Sequence, residues 1–391
     1  MKQPSVSKFI FILTPLFSFP FILKDIYDKK KVGLFMSVIF IGVCVYLFLP
    51  NEMMDSAGRY QLYESFQNKS FNDLMLYLSF RSDYIFYSLI FLFAYFNIKF
   101  QLLLFLFAVF NVGVPLFIFN KVIDKNKLSK KLYFVAFLLV FTSISLTFLF
   151  SGIRQLIGLN LIFLGTYHYF FTKNYKLSIL FFLLAPLTHF STFVFLPLIF
   201  IGSRFNVKFL LFLIFIFFVV GAILPEEYIQ KLFLEIDTDS EIYNNKIQAY
   251  SNTNQNTETT TFATAVAKVL KQLWFYVAVL YAYISKRKHT RLFKLFLLVL
   301  LPISFLITFP GIAGRYIDFL KMIFVLVLLD DFLVLKNKKW LYIFLILFSL
   351  APLYDIFRLM TSSFAYIYSF DHLTLFQILN VEYTTSDILQ R

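Results

Sequence analysis

Long apolar runs separated by short basic stretches dominate this chain. Windows nearly free of charge lie at 32–49, 99–119, 132–150, 155–171, 207–224, 266–284, 292–309, 316–329 and 340–357. The cleanest, LYFVAFLLVFTSISLTFLF at 132–150, holds no charged residue. At a rise of about 1.5 Å per residue, such windows can cross a hydrocarbon core about 30 Å thick. Strands of a membrane barrel would alternate polar and apolar positions over about ten residues. These runs are apolar all round and predict helices. The run at 8–23 reads as a further span, short and interrupted by Pro15 and Pro20. LKDIYDKKK follows it, with no small-residue cleavage site, so it is expected to be a retained first span and not a signal peptide.

Composition supports the same class. Of 391 residues, 60% are hydrophobic, 21% are aromatic and only 15% are charged. A soluble chain of this length could not cover so much apolar surface with so few charges. The expectation is an all-α integral membrane protein: one polytopic domain over 1–391, with about 11–13 transmembrane helices, some of them short or broken.

A net charge of +14 would suit nucleic acid, but its distribution argues against that partner. Lys and Arg gather in the short loops 24–31, 120–131, 285–294 and 336–339. That is the positive-inside pattern, and it places those loops in the cytoplasm. Two longer segments, 50–98 and 225–265, then fall outside, as does a tail from about 358 to 391. Within the first, 84–97 is apolar but short; counting it as a full span would throw the Lys-rich 120–131 loop outside, so it is expected to be interfacial or partly inserted. The second ends in SNTNQNTETTT and reads as a flexible loop. In the tail, 363–380 is expected to be an interfacial helix. Charge parity also splits 177–201: a single span there would put the acidic 225–265 loop inside and the basic 285–294 loop outside. Two short helices meeting near Pro186–Ser191 on the outer side satisfy the pattern, and helices broken in this way are tolerated where they line a cavity.

No P-loop, GxGxxG, HExxH or GxSxG is present, so ATP-driven and common hydrolase chemistry have no motif here. Cys44 is the only cysteine, which excludes an intramolecular disulfide. The informative residues are the polar ones near span ends. MMDSAGRYQLY at 53–63 offers Asp55, Arg59 and Tyr60; the plain alternative is a local ion pair in a loop. SGIRQLIGLN at 151–160 begins an apolar helix with Arg154 and Gln155. A cation there opposes the helix dipole, so Arg154 is not there for helix stability; the alternative is a side chain reaching lipid phosphate. APLTHFSTF at 185–193 places His189 and Ser191 at the deduced break, and His189 can exchange a proton near neutral pH. FPGIAGRYIDFLK at 309–321 sets two glycines before Arg315 and Tyr316, with Asp318 just inside the span; the alternative is a structural Arg315–Asp318 pair. His168, His289 and His372 look ordinary. All four places map to the outer side. Two arginines, a histidine and a carboxylate there suit an anionic, phosphate-bearing substrate, since Arg stays charged and offers a fork to phosphate oxygens.

In order and placement, Asp55…Tyr60, Ile153-Arg154-Gln155, His189-Phe190-Ser191 and Gly314-Arg315-Tyr316 resemble the EpsG/Wzy-like polysaccharide polymerases over roughly residues 40–330. The resemblance implies a glycosyltransferase C-like fold in the bacterial inner membrane, with the active site facing the periplasm. It implies joining of undecaprenyl-diphosphate-linked oligosaccharide repeat units into O-antigen or a related surface polysaccharide. Donor and acceptor would both be lipid-linked, no cofactor, nucleotide sugar or metal would be required, and a chain-length regulator protein is an admissible partner. In that scheme Arg154 and Arg315 hold the departing diphosphate, and His189 or Asp55 is the general base. Asp55 could instead orient sugar hydroxyls, while Arg59, Tyr60, Gln155, Ser191 and Tyr316 bind substrate. Losing one such electrostatic contact typically costs about 10²–10³ in rate, and losing a general base about 10²–10⁴. The competing readings are a flippase or transporter of lipid-linked oligosaccharide, which would line a cavity open to both sides and often shows an internal repeat; a ligase that moves finished polymer to lipid A–core; and a membrane scaffold.

Overall fold

The computed structural model describes residues 6–50, 55–123, 128–150, 152–202, 204–223, 262–285, 290–307, 310–334, 342–343, 346–347, 365–367 and 374–382. Most of the 225–265 loop, the 336–339 loop and most of the 340–357 window lie outside the described residues. The chain divides into two compact units: residues 1–75, 83–192 and 328–391 in the first, and 76–82 and 193–327 in the second.

In the first unit the helices follow the apolar windows. They are α1 (Val6–Leu13), α2 (Pro15–Tyr27), α3 (Lys31–Tyr46), α4 (Asp55–Phe66), α5 (Phe71–Ser79, whose last residues fall in the second unit), α6 (Tyr84–Tyr95), α7 (Phe100–Val122), α8 (Lys130–Ser143), α9 (Leu146–Phe150), α10 (Ile153–Tyr167) and α11 (Tyr175–Thr188). α3 packs on α2 and α7, and α10 packs on α7 and α11. Local signals set the ends. Pro15 starts α2 at a position where its missing N–H costs nothing. Ser129 caps α8 by accepting from the Leu132 N–H, and Asn174 caps α11 by accepting from the Leu177 N–H.

Among the described residues, Phe100–Val122 is both long and apolar enough to cross a bilayer; Lys31–Tyr46, Tyr84–Tyr95 and Tyr175–Thr188 are apolar but shorter. The basic ends of α2 and α8 are tied by an ion pair and a carbonyl contact. Lys130 Nζ lies 2.5 Å from Asp28 Oδ1, Lys29 donates to the Leu128 carbonyl, and Lys30 pairs with Asp25 at 2.8 Å.

Two expectations are corrected. The window 132–150 is not one helix. α8 stops at Ser143, Ile144 is extended (φ −79°, ψ 124°), and α9 is a separate short helix. The Thr142 and Ser143 hydroxyls bond back to the Leu139 and Val140 carbonyls, and Ser145 Oγ accepts from the Phe148 N–H. Serine and threonine thereby offer the backbone an alternative to helix. The segment 363–380 is not one helix either. Residues Ala365–Ile367 form β2, antiparallel to β1 (Phe48–Pro50), with Leu49 opposite Tyr366. Among the described residues of this segment, Leu375–Asn380 is helical, started by a Thr374–Gln377 capping box. This small ribbon is the one departure from an all-helical fold among the described residues. Tyr46, just before β1, holds the Leu375–Asn380 helix by donating to the Leu379 and Val381 carbonyls at 2.9 and 3.2 Å.

The expected break in 177–201 is present. α11 contains Pro186 and ends at Thr188, His189 is extended (φ −152°, ψ 107°), and a 3-10 turn covers Phe190–Val194.

The second unit contains α12 (Phe195–Gly202), α13 (Val207–Ile223), α14 (Phe262–Ile284), α15 (Arg291–Leu306) and the first part of α16 (Pro310–Val334). α15 is its centre, packed by α12, α13 and α14. Inside it Lys321 Nζ lies 3.2 Å from Asp318 Oδ1 and 5.3 Å from the Trp274 ring centroid. A buried cation is tolerable there because a carboxylate and an aromatic face replace its water.

Candidate functional site

Two segments of the first unit, the start of α10 and the turn that follows α11, converge on one carboxylate, Asp83. It precedes α6, where an aspartate ordinarily accepts from the N–H groups of the first helical turn. Asp83 makes no such capping bond. Its side chain is 3% exposed and turned to other partners. Oδ2 accepts from Arg154 Nη1 at 2.6 Å, and Oδ1 accepts from the Phe190 N–H at 2.9 Å. The same Oδ2 lies 3.7 Å from His189 Nδ1. Burial acts to raise the Asp83 carboxyl. The His189 ring and the Arg154 charge outweigh burial, with the Phe190 N–H adding to them, and hold the group well below the usual carboxylate range.

Arg154 stands in the first turn of α10. Its charge is disfavoured by the dipole, and Asp83 is what holds it there. Arg154 Nη1 also donates to the Tyr87 hydroxyl at 2.9 Å. Arg59, from α4, donates to the same hydroxyl at 3.3 Å. Both guanidinium carbons sit over the same two rings. Arg59 is 5.9 and 5.5 Å from the Phe86 and Tyr87 centroids, and Arg154 is 6.0 and 5.9 Å from them. At a separation of roughly 6 Å, like unit charges repel by about 0.7 kcal/mol in water and about 3 kcal/mol at an effective dielectric near 20. The aromatic floor offsets part of that cost.

His189 is placed by a close approach of helices. The Thr192 N–H and hydroxyl both donate to the His189 carbonyl, at 3.0 and 2.9 Å. That turn rests on Gly158 of α10, one helical turn beyond Arg154. A Cβ at Gly158 would meet Thr192 Cγ2 at 2.9 Å and His189 Cβ at 3.1 Å. One face of α10 therefore carries Arg154 and also seats the histidine. His189 is buried, with its side chain 10% exposed.

Of the residues singled out from sequence, Arg59, Arg154 and His189 come together. Gln155 is buried beside Arg154, and Ser191 is half-buried in the turn after His189. Asp55 is exposed at the start of α4, one turn before Arg59 on the same face. Tyr60 is buried and packs on Tyr63 and Phe100, with centroids 6.1 and 5.6 Å away. Arg315 and Tyr316 belong to α16 in the second unit. Tyr316 meets the Phe195 ring edge-on at 5.4 Å, and the Arg315 side chain lies outside the described residues. Asp318 is ion-paired with Lys321. Asp83 and Tyr87 were not anticipated. An aspartate before YIFYSLIF reads as an ordinary helix cap, and a tyrosine inside that run reads as packing. Among the described residues no three His, Cys, Asp or Glu side chains gather as a metal site.

The cluster can do two things chemically. A buried histidine beside a carboxylate can take up a proton, and adjoining arginines can hold developing negative charge. Searches of curated proteins and of solved structures give no match for this chain. A model of the EpsG family matches residues 54–370, a stretch that includes Arg59, Asp83, Tyr87, Arg154 and His189, and the chain therefore belongs to the EpsG family.

Proposed function

We propose that this protein is a membrane-embedded polysaccharide polymerase. It joins undecaprenyl-diphosphate-linked repeat units into O-antigen or a related surface polysaccharide on the periplasmic face of the bacterial inner membrane. Family membership supports polysaccharide synthesis. Outward-facing apolar side chains support the membrane setting: Phe35 is 61% exposed, and Phe212, Phe215 and Ile223 along α13 are 57%, 58% and 73% exposed. The observation that carries the reading is Asp83, shared between Arg154 and His189.

In the reaction, an acceptor sugar hydroxyl attacks the anomeric carbon of the donor chain. The bond from that carbon to the diphosphate oxygen breaks, undecaprenyl diphosphate leaves, and a glycosidic bond forms. The hydroxyl proton passes to His189. Asp83 beside Nδ1 favours the tautomer protonated there, which leaves Nε2 to accept. Asp83 is thus the carboxylate partner of the base, in place of the exposed Asp55. Arg154 stabilises the departing diphosphate, and Arg315 is retained as a second candidate for that role. The lipid tails lie along the apolar helices.

The test is extension of lipid-linked repeat units by the purified full chain in detergent. Products longer than one unit and still on undecaprenyl diphosphate are expected. His189→Ala and Arg154→Ala should reduce extension at least about 10²-fold. Transfer only to lipid A–core would make the protein a ligase. Full extension by His189→Ala would remove His189 as base.

A further inference from the structure

Tyr87 and Arg59 have no part in the chemistry just described, yet they bring a second cation to Arg154. Two guanidinium groups from separate helices donate to one phenol oxygen, at 2.9 and 3.3 Å, so their nitrogens are no farther apart than the sum of those distances. Both lie over the Phe86 and Tyr87 rings. Only one carboxylate, Asp83, is ion-paired with either arginine among the described residues, and its other oxygen is taken by the Phe190 N–H. The group between these cations is the neutral Tyr87 hydroxyl and the paired carboxylate sits on Arg154, so among the described residues Arg59 brings a positive charge that Asp83 does not neutralise. The Arg154 side chain is 24% exposed, so the excess is open to a ligand on one side.

We propose that Arg59, Tyr87 and Arg154 form a binding subsite for a prenyl diphosphate, with Tyr87 as the spacer that sets the distance between the two arginine forks. An arginine fork matches the oxygens of a phosphoryl group. Two forks on either side of one hydroxyl match two adjoining phosphoryl groups better than one. Arg59 belongs to α4 and Arg154 to α10, so the ligand also bridges the two helices. The prenyl part of the assignment rests on the polymerase reading; the anion subsite rests on the geometry alone.

Binding of farnesyl diphosphate to the purified full chain in detergent tests this, with farnesyl monophosphate as comparator and phosphatidylglycerol as competitor. The diphosphate should bind about tenfold more tightly than the monophosphate. Arg59→Ala should weaken diphosphate binding about tenfold, Arg59→Lys should restore part of it, and Tyr87→Phe should weaken it a few-fold. Lys99→Ala, which removes an outlying lysine that faces Glu382 at 3.5 Å, should leave it unchanged. Arg59→Gln serves as a second variant should Arg59→Ala not fold. Unaltered affinity in a folded Arg59 variant overturns the subsite, as does equal competition by phosphatidylglycerol, which would make the ligand a lipid headgroup. Wild-type protein that binds the probe but never extends lipid-linked units overturns the polymerase reading and leaves the subsite standing; extension without probe binding does the reverse.

Discussion

Replacing Gly158 with alanine should separate stability from activity. The residue sits within α10, where alanine is favoured over glycine by about 0.5–1 kcal/mol. The new methyl group would meet Thr192 Cγ2 at 2.9 Å and His189 Cβ at 3.1 Å. Overpacking of this kind costs about 1–3 kcal/mol, so the two effects largely offset and net stability should fall by only about 1 kcal/mol. The catalytic consequence is larger. The Thr192 donors on the His189 carbonyl make the turn move as a unit, and relief of the clash carries the imidazole away from Asp83. A displacement of about 1 Å can cost roughly 10²-fold in rate. Gly158→Ala should therefore accumulate to near wild-type levels, unfold at nearly the same temperature, and yield mostly single repeat units on a gel of lipid-linked products. Gly113→Ala is the control, because the nearest atom to its Cβ would be Val38 Cγ1 at 3.8 Å. It should keep full polymer length with unchanged or higher stability. Wild-type chain lengths from Gly158→Ala would refute the idea that α10 seats the histidine.

Asp83→Asn keeps an acceptor for the Phe190 N–H but removes the charge facing Arg154. It should cost about 3 kcal/mol in chemical denaturation, the low end for a buried pair because Arg154 is 24% exposed. The carboxyl of Asp83 lies below its unfolded value, so its contribution is fully present above an unfolded pKa of about 3.9 and is lost as pH falls below it. The stability gap between wild type and Asp83→Asn should thus shrink as pH falls below about 4; a gap undiminished at about pH 2 would assign it to another group. Asn160 Nδ2 donates to Asn111 Oδ1 at 3.0 Å and to its carbonyl at 3.2 Å, between α10 and α7. Asn160→Leu alone should cost about 1–3 kcal/mol, and the Asn111→Leu/Asn160→Leu double variant should recover most of it in a double-mutant cycle.

The helices were legible in the sequence because uniform hydropathy at this length has few other solutions. The helix end at His189 was legible for a different reason: charge parity along the chain preferred two short helices meeting near Pro186–Ser191. Hydropathy alone gave no sign of the break at Ile144, since Thr142, Ser143 and Ser145 are small enough to leave the apolar average intact while their hydroxyls compete for the backbone. The ribbon between β1 and β2 pairs strands of three residues each, too short for any period to register. Within the site, Arg154 stood out because its charge was misplaced for its helix. Asp83 did not, because aspartate before an apolar helix is what capping leads one to expect; only the direction of its side chain reveals the other use. Asp55, more conspicuous in sequence, is exposed.

The tie between Tyr46 and the carbonyl of Leu379 joins residues 333 positions apart. At a synthesis rate of about 5–20 residues per second, the first waits roughly 15–70 s on the ribosome for the second. Throughout that interval β1 is an unpaired edge. A nascent chain cut short by a premature stop would have most of its helices and an unpaired β1, a state that a quality-control protease could recognise by its loose strand.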